Sequence, residues 1–143
     1  MAATTEDRNT PYRDCILTPV PVAKGEVIPA GVIVCASATG YAVNGTAALG
    51  LAYLGRAEER VDNSAGNDGD QAIIVRSHKA FCWENDGSVT QANMGKRAYI
   101  VDNQTVGATD GSAEKDGDTP AVAASRSQAG TIIMIDTDGV WVY

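Results

Sequence analysis

Ile132-Ile133-Met134-Ile135-Asp136-Thr137-Asp138-Gly139-Val140-Trp141-Val142-Tyr143 decides the fold class. Two apolar runs flank an Asp-Gly pair, and both residues of that pair tolerate positive φ, so the stretch predicts a β-hairpin. Period-two spacing puts Trp141 and Tyr143 on one face of the second strand and Val140 and Val142 on the other. The expectation is that at least one of these large aromatics is buried. Trp141→Ala would then cost about 3–5 kcal/mol.

The same punctuation recurs upstream at Asn44-Gly45, Asp68-Gly69, Asp86-Gly87, Asp110-Gly111 and Asp116-Gly117. Apolar runs lie between most of them: Ile73-Ile74-Val75, Phe81-Cys82-Trp83 and Ala98-Tyr99-Ile100-Val101. Turns at this spacing predict a compact antiparallel sandwich or barrel. Ile16-Leu17-Thr18-Pro19-Val20-Pro21-Val22 suits an edge strand, because proline cannot donate to a ladder. Val27-Ile28 and Val32-Ile33-Val34-Cys35 read as short strands around Pro29-Ala30-Gly31, and a further strand is expected from about Leu51 to Val61. Residues 108–130, rich in Ala, Thr, Asp, Gly and Ser, are expected to form a long surface loop.

Composition points the same way. The 143 residues include 14 Val, 9 Ile and 12 Thr but only 4 Leu, 6 Glu and 4 Lys. β-branched residues fit a pleated, half-buried surface, whereas Leu, Glu and Lys fill helices. An all-β domain is expected and a helical bundle is excluded. The length suits one domain, taken as residues 15–143. Residues 1–14 are polar, with Tyr12 the one large apolar group, and cannot bury enough surface to order alone. They read as a disordered tail or, more sharply, as an extended N-terminal arm that orders on a partner, with Arg8, Tyr12 and Arg13 as its anchors.

Eighteen acidic against eleven basic side chains leave a net charge of −7. With no Lys/Arg-rich run, nucleic-acid binding through phosphate neutralisation is not expected. No stretch approaches the 18 or so apolar residues of a membrane span. Met1 to Arg8 lacks the apolar core of a signal peptide, so folding in the cytoplasm is expected. Cys15, Cys35 and Cys82 are odd in number with no Cys-x-x-Cys pair, and read as reduced, mostly buried thiols.

Three groupings bear on chemistry. Asp62-Asn63-Ser64-Ala65-Gly66-Asn67-Asp68-Gly69-Asp70 is oxygen-rich, but Ser64 and Gly66 stand at the third and fifth positions, where an EF-hand loop needs acidic or amide ligands. Solvated loops are the better reading there, and for Asp110–Asp118 and Asp136–Asp138 too. No metal or other cofactor is expected. His78 is the only histidine and reads as a strand residue within Arg76-Ser77-His78-Lys79 rather than a base. Glu58, Glu59 and Glu84 could suggest a glycosidase pair, yet adjacent strand residues point to opposite faces. Cross-strand pairing with Arg56, Arg60 or Arg76 is the expected role of Glu58 and Glu59. No Gly-x-Ser-x-Gly elbow and no phosphate loop occurs, so an enzyme is not expected.

Several segments together resemble a known family. They are Arg8-Asn9-Thr10-Pro11 with Arg13-Asp14, Gly55-Arg56-Ala57-Glu58-Glu59-Arg60-Val61-Asp62-Asn63-Ser64-Ala65-Gly66, and Gly95-Lys96. Tyr99-Ile100-Val101-Asp102, Gln104-Thr105-Val106, Thr109-Asp110-Gly111 and Ala129-Gly130 with Asp138-Gly139-Val140-Trp141-Val142 complete the collinear set. The set resembles the capsid decoration (head cement) proteins of tailed bacteriophages. The resemblance implies a β-tulip-like domain, commonly a homotrimer, on the exterior of the virion. It also implies an N-terminal arm reaching onto the major capsid protein, and a structural role in clamping adjacent capsomers. A virion-exposed adhesion or carbohydrate-binding module is the alternative, given the long Asp/Ser/Thr loops.

Overall fold

A computed structural model describes residues 3–143. Its strands are β1 (Leu17–Pro21), β2 (Val27–Ile28), β3 (Ile33–Ala36), β4 (Ala42–Asn44), β5 (Ala52–Ala57) and β6 (Val61–Asp62). They continue as β7 (Ala72–Arg76), β8 (Phe81–Asn85), β9 (Arg97–Ile100), β10 (Thr105–Gly107), β11 (Gln128–Ile135) and β12 (Val140–Val142). One 3-10 turn, Gln91–Asn93, is the only helical element among the described residues. The chain is all-β, as its β-branched composition predicts.

The strands form two bodies and a short ribbon. The first body is an open antiparallel sheet in the order β1-β7-β5-β3-β4. The second is a small closed barrel in the order β10-β8-β12-β11-β9, and β2 pairs with β6 alone. The barrel departs from the expected all-antiparallel arrangement in one place, where β10 runs parallel to β8. The crossover through β9 makes that possible, since parallel neighbours cannot be joined by a tight turn.

Period-two alternation on β3 ties the two bodies together. Ile33 and Cys35 join the barrel core with Phe81, Trp83, Ile100, Ile132, Val140 and Val142. Val34, between them, joins a second core with Val22, Ile28, Ala57, Ile73 and Val75. All three β3 side chains are fully buried, so the strand is apolar on both faces. That explains the unbroken run Ile33-Val34-Cys35.

The closing hairpin forms as its sequence predicts, with β11 and β12 joined through Asp136 N–H donating to the Gly139 carbonyl at 3.1 Å. Its facing is the reverse of the expectation about aromatics. Val140 and Val142 are fully buried, whereas Trp141 is half-buried and Tyr143 is 61% exposed. The buried aromatics lie one strand away: Trp83 and Phe81 on β8, opposite Val140 and Val142 respectively. A bulge at Ile133 adds to the outward apolar surface, leaving Ile133 and Met134 both exposed.

Two other boundaries shift. The strand expected over Leu51–Val61 runs only from Ala52 to Ala57 and resumes at Val61 as β6. Gly55 lies within β5 at φ 139°, where a Cβ would overlap the Arg76 carbonyl oxygen, so only glycine lets β7 approach this closely. The expected loop over 108–130 ends at Ser127, since Gln128, Ala129 and Gly130 already belong to β11. Of the Asx-Gly pairs, Asp138-Gly139 is the one that closes a hairpin between two named strands. The β3–β4 turn is made instead by Ser37–Tyr41, with Gly40 at φ 85°.

Candidate interaction surface

The open sheet has two edges, and local sequence closes both. On β1, Thr18 and Val20 sit opposite Val75 and Ile73, in the same register as the flanking bonds Ser77 N–H to Ile16 O and Val22 N–H to Gln71 O. Leu17, Pro19 and Pro21 therefore turn their backbones outward. Two of those three outward positions are prolines with no N–H, which blunts the edge as a template for strand addition. The other edge, β4, is covered by residues 22–26: Ala23 N–H donates to Ala42 O, and Asn44 donates to Glu26 Oε2.

Residues 3–14 precede β1 and are exposed throughout. Their side-chain bonding among the described residues is local, between Thr4 and Glu6. Arg8, Tyr12 and Arg13 all lie on this segment, with Tyr12 at 97% exposure. Pro11, Tyr12 and Arg13 together line a shallow concavity of about 220 Å³. The structure thus puts the three expected anchors on one exposed stretch of chain.

The segment meets the body at Cys15. Ser77 Oγ donates to the Cys15 carbonyl at 2.6 Å, and Cys15 Sγ lies 3.0 Å from His78 Nε2. His78 is not in a strand, as its neighbours suggested, but in the bend between β7 and β8. Its φ of 55° makes it the one non-glycine residue with positive φ among those described. Cys15 is exposed rather than buried, Cys82 is half-buried, and only Cys35 lies in the core. Burial pushes the Cys35 thiol up to about 12.

Two concavities flank Phe81 on the body. One, of about 360 Å³, is lined by Tyr53, Leu54, Gly55, Ser77, His78, Lys79, Phe81 and Tyr143. The other, of about 400 Å³, is lined by Gly31, Arg56, Ala80, Phe81, Cys82, Trp83 and Trp141. Here the Arg56 guanidinium sits 5.5 Å from the centre of the Phe81 ring, while Trp141 Nε1 donates to Asp136 Oδ2 at 2.9 Å. Backbone donation from Asp138, and then the Trp141 bond, hold the Asp136 carboxyl below its ordinary range.

Glu58 takes the role expected of it. Its carboxylate accepts from Arg76 at 2.6 Å and from Arg56 at 2.8 Å. Those bonds, the Arg76 ones foremost, hold its pKa down to about 2. Arg60 takes no part in this pairing. A carboxylate held ionised between two guanidiniums is a poor proton donor, so the arrangement does not supply a glycosidase acid.

The Asp-rich loops are closed by their own donors. Asp62, Asp86 and Asp110 each accept the backbone N–H of the serine two residues on, at 2.9 Å. Those serine hydroxyls, then the backbone bonds, hold Asp62 and Asp110 below the usual carboxylate range. No group of three or more His, Cys, Asp or Glu side chains is placed to hold a metal ion among the described residues. The 62–70 loop is organised by Asn63, which is only 2% exposed. Its Nδ2 donates to the carbonyls of Val22, Ala23 and Asn67, and Gly66 packs so close that a Cβ there would overlap Asn63 Oδ1.

Sequence reading missed Asn63 and the Cys15–His78 contact. The first stands in a loop of similar polar residues, and the second joins positions 63 apart in the chain. Neither leaves a periodic trace. Compared with known protein families, with curated proteins and with solved structures, the chain matches none.

Proposed function

We propose that this chain is a structural virion protein that binds the outer surface of a tailed-phage head and clamps adjacent major-capsid-protein capsomers. The observation that carries the reading is the exposed segment bearing Arg8, Tyr12 and Arg13, joined to a body whose sheet edges are blunted. Tyr and Arg are the residues that anchor interfaces, and an extended peptide can add a strand to a partner's sheet edge. Closed edges on the body itself favour contacts through side chains and arm over uncontrolled strand addition. As a homotrimer, the chain would gain effective concentration from several weak arm contacts at once.

Deletion of residues 2–13 tests this. The shortened protein is expected to melt within about 2 °C of the full chain, because residues 3–14 make no bond to the body among those described. It should fail to occupy phage heads stripped of the protein, to which the full chain binds. Normal occupancy by the shortened protein would contradict the role of the arm.

A second reading, a carbohydrate-binding or adhesion module on the virion, is favoured by one observation. Trp141 is half-buried and lines a concavity together with Arg56 and Phe81, and an aromatic wall of this kind can stack on a sugar. A glycan array probed with the full chain and with Trp141→Ala addresses it, since Trp141-dependent binding would support that reading over the first.

A further inference from the structure

The junction between the N-terminal segment and β1 brings together groups that the capsid reading does not use. Cys15 Sγ and His78 Nε2 are 3.0 Å apart, and both residues are at the surface. Ser77 holds the Cys15 carbonyl at 2.6 Å from one side of the bend, and Ser77 N–H donates to Ile16 O at 2.9 Å. Two bonds thus fix the backbone that carries the thiol. His78 adopts φ 55°, in the left-handed region where histidine, like asparagine and aspartate, is among the more frequent non-glycine residues. Ser77, His78 and Lys79 also line the 360 Å³ concavity beside Phe81 and Tyr143, which reaches the histidine of the pair but is not lined by Cys15.

A thiol within hydrogen-bond reach of an imidazole is the arrangement that lets the ring take the proton as sulfur attacks. In the tautomer protonated on Nδ1, His78 can accept the Cys15 S–H at Nε2. The other two cysteines lack this partner. Cys35 is buried, with its thiol pushed up by burial, and Cys82 is raised by partial burial and by Asp136 and Asp138.

We infer that Cys15 and His78 form a thiol–disulfide exchange site that takes small-molecule disulfides. Cys15 sulfur attacks one sulfur of the disulfide and forms a mixed disulfide. The S–S bond of the reagent breaks, its other half leaves as a thiolate, and the proton held by His78 passes to that thiolate. One disulfide and one protein thiol become one mixed disulfide and one small thiol.

The experiment uses the full chain and glutathione disulfide, with adducts located by peptide mass and rates followed by intact mass. Cys15 is expected to be modified before Cys35 and Cys82, at least fivefold faster than the same cysteine in the urea-unfolded chain. His78→Asn keeps a residue that tolerates the left-handed backbone and removes the base, and should slow Cys15 at least fivefold. Cys15→Ser should abolish the fast adduct. A native Cys15 no faster than in the unfolded chain overturns the inference without reference to any variant. So does a first adduct on Cys82, or an unchanged Cys15 rate in a folded His78→Asn protein.

Discussion

The two tryptophans show how far one residue's environment decides its worth. Trp83 is 4% exposed, donates from Nε1 to Tyr53 Oη at 3.1 Å and packs on Phe81 at 5.9 Å between ring centres. Burial has pushed the Tyr53 hydroxyl up to about 12. Trp141, on the outer face of β12, is only partly buried. Urea unfolding should therefore show Trp83→Ala losing about 3–5 kcal/mol and Trp141→Ala only about 1–2 kcal/mol. Equal losses would contradict the facing assigned to β12. Alternation along Val140-Trp141-Val142-Tyr143 was legible, but which face is inward was not. Both faces are apolar, and the choice is made by Trp83 and Phe81 on β8, nearly sixty residues earlier in the chain.

Glu58 sets a pH dependence at the same scale. Its folded pKa of about 2 lies below the ordinary value of 4.5, so the stabilisation it gives is complete above that value. It is lost as the pH falls from about 4.5 through about 2. Asp62, Asp110 and Asp136 are depressed as well and add slope in the same direction. Urea midpoints measured from pH 6 to pH 2 should fall more steeply for the wild type than for Glu58→Gln. Parallel curves would mean that the Arg56–Glu58–Arg76 group contributes no linkage, as many solvent-facing ion pairs do.

Among the elements, β1 carries the clearest message. Pro19 and Pro21 mark it as an edge strand, and the register adds that both occupy outward-facing positions. Changing both to threonine restores two N–H groups to the free edge while keeping β-favouring side chains. Light scattering after size exclusion should then report a mass above that of the wild type at equal concentration. An unchanged mass would show that the edge is protected by something other than the prolines. Strands β1, β7, β8 and β11 were legible from apolar runs and turn chemistry. The parallel pairing of β8 with β10 was not, because neither residue type nor spacing encodes which distant strand a segment meets. The break after Ala57 was not legible either, although the pairing of Glu58 with Arg76 was.

For the whole molecule, the all-β class, the exposed N-terminal segment and the closing hairpin follow from composition, polarity and Asp-Gly punctuation. Its division into an open sheet and a closed barrel depends on β3, whose three fully buried residues serve two cores at once. The proposed role as a head clamp rests on the blunted sheet edges and the exposed residues 3–14. The most direct measurement is the copy number of this chain in purified virions, by quantitative mass spectrometry against the major capsid protein. A clamp on the head predicts a number of copies comparable to that of the capsid protein. A handful of copies per virion, or the chain's absence from the head fraction, would contradict it.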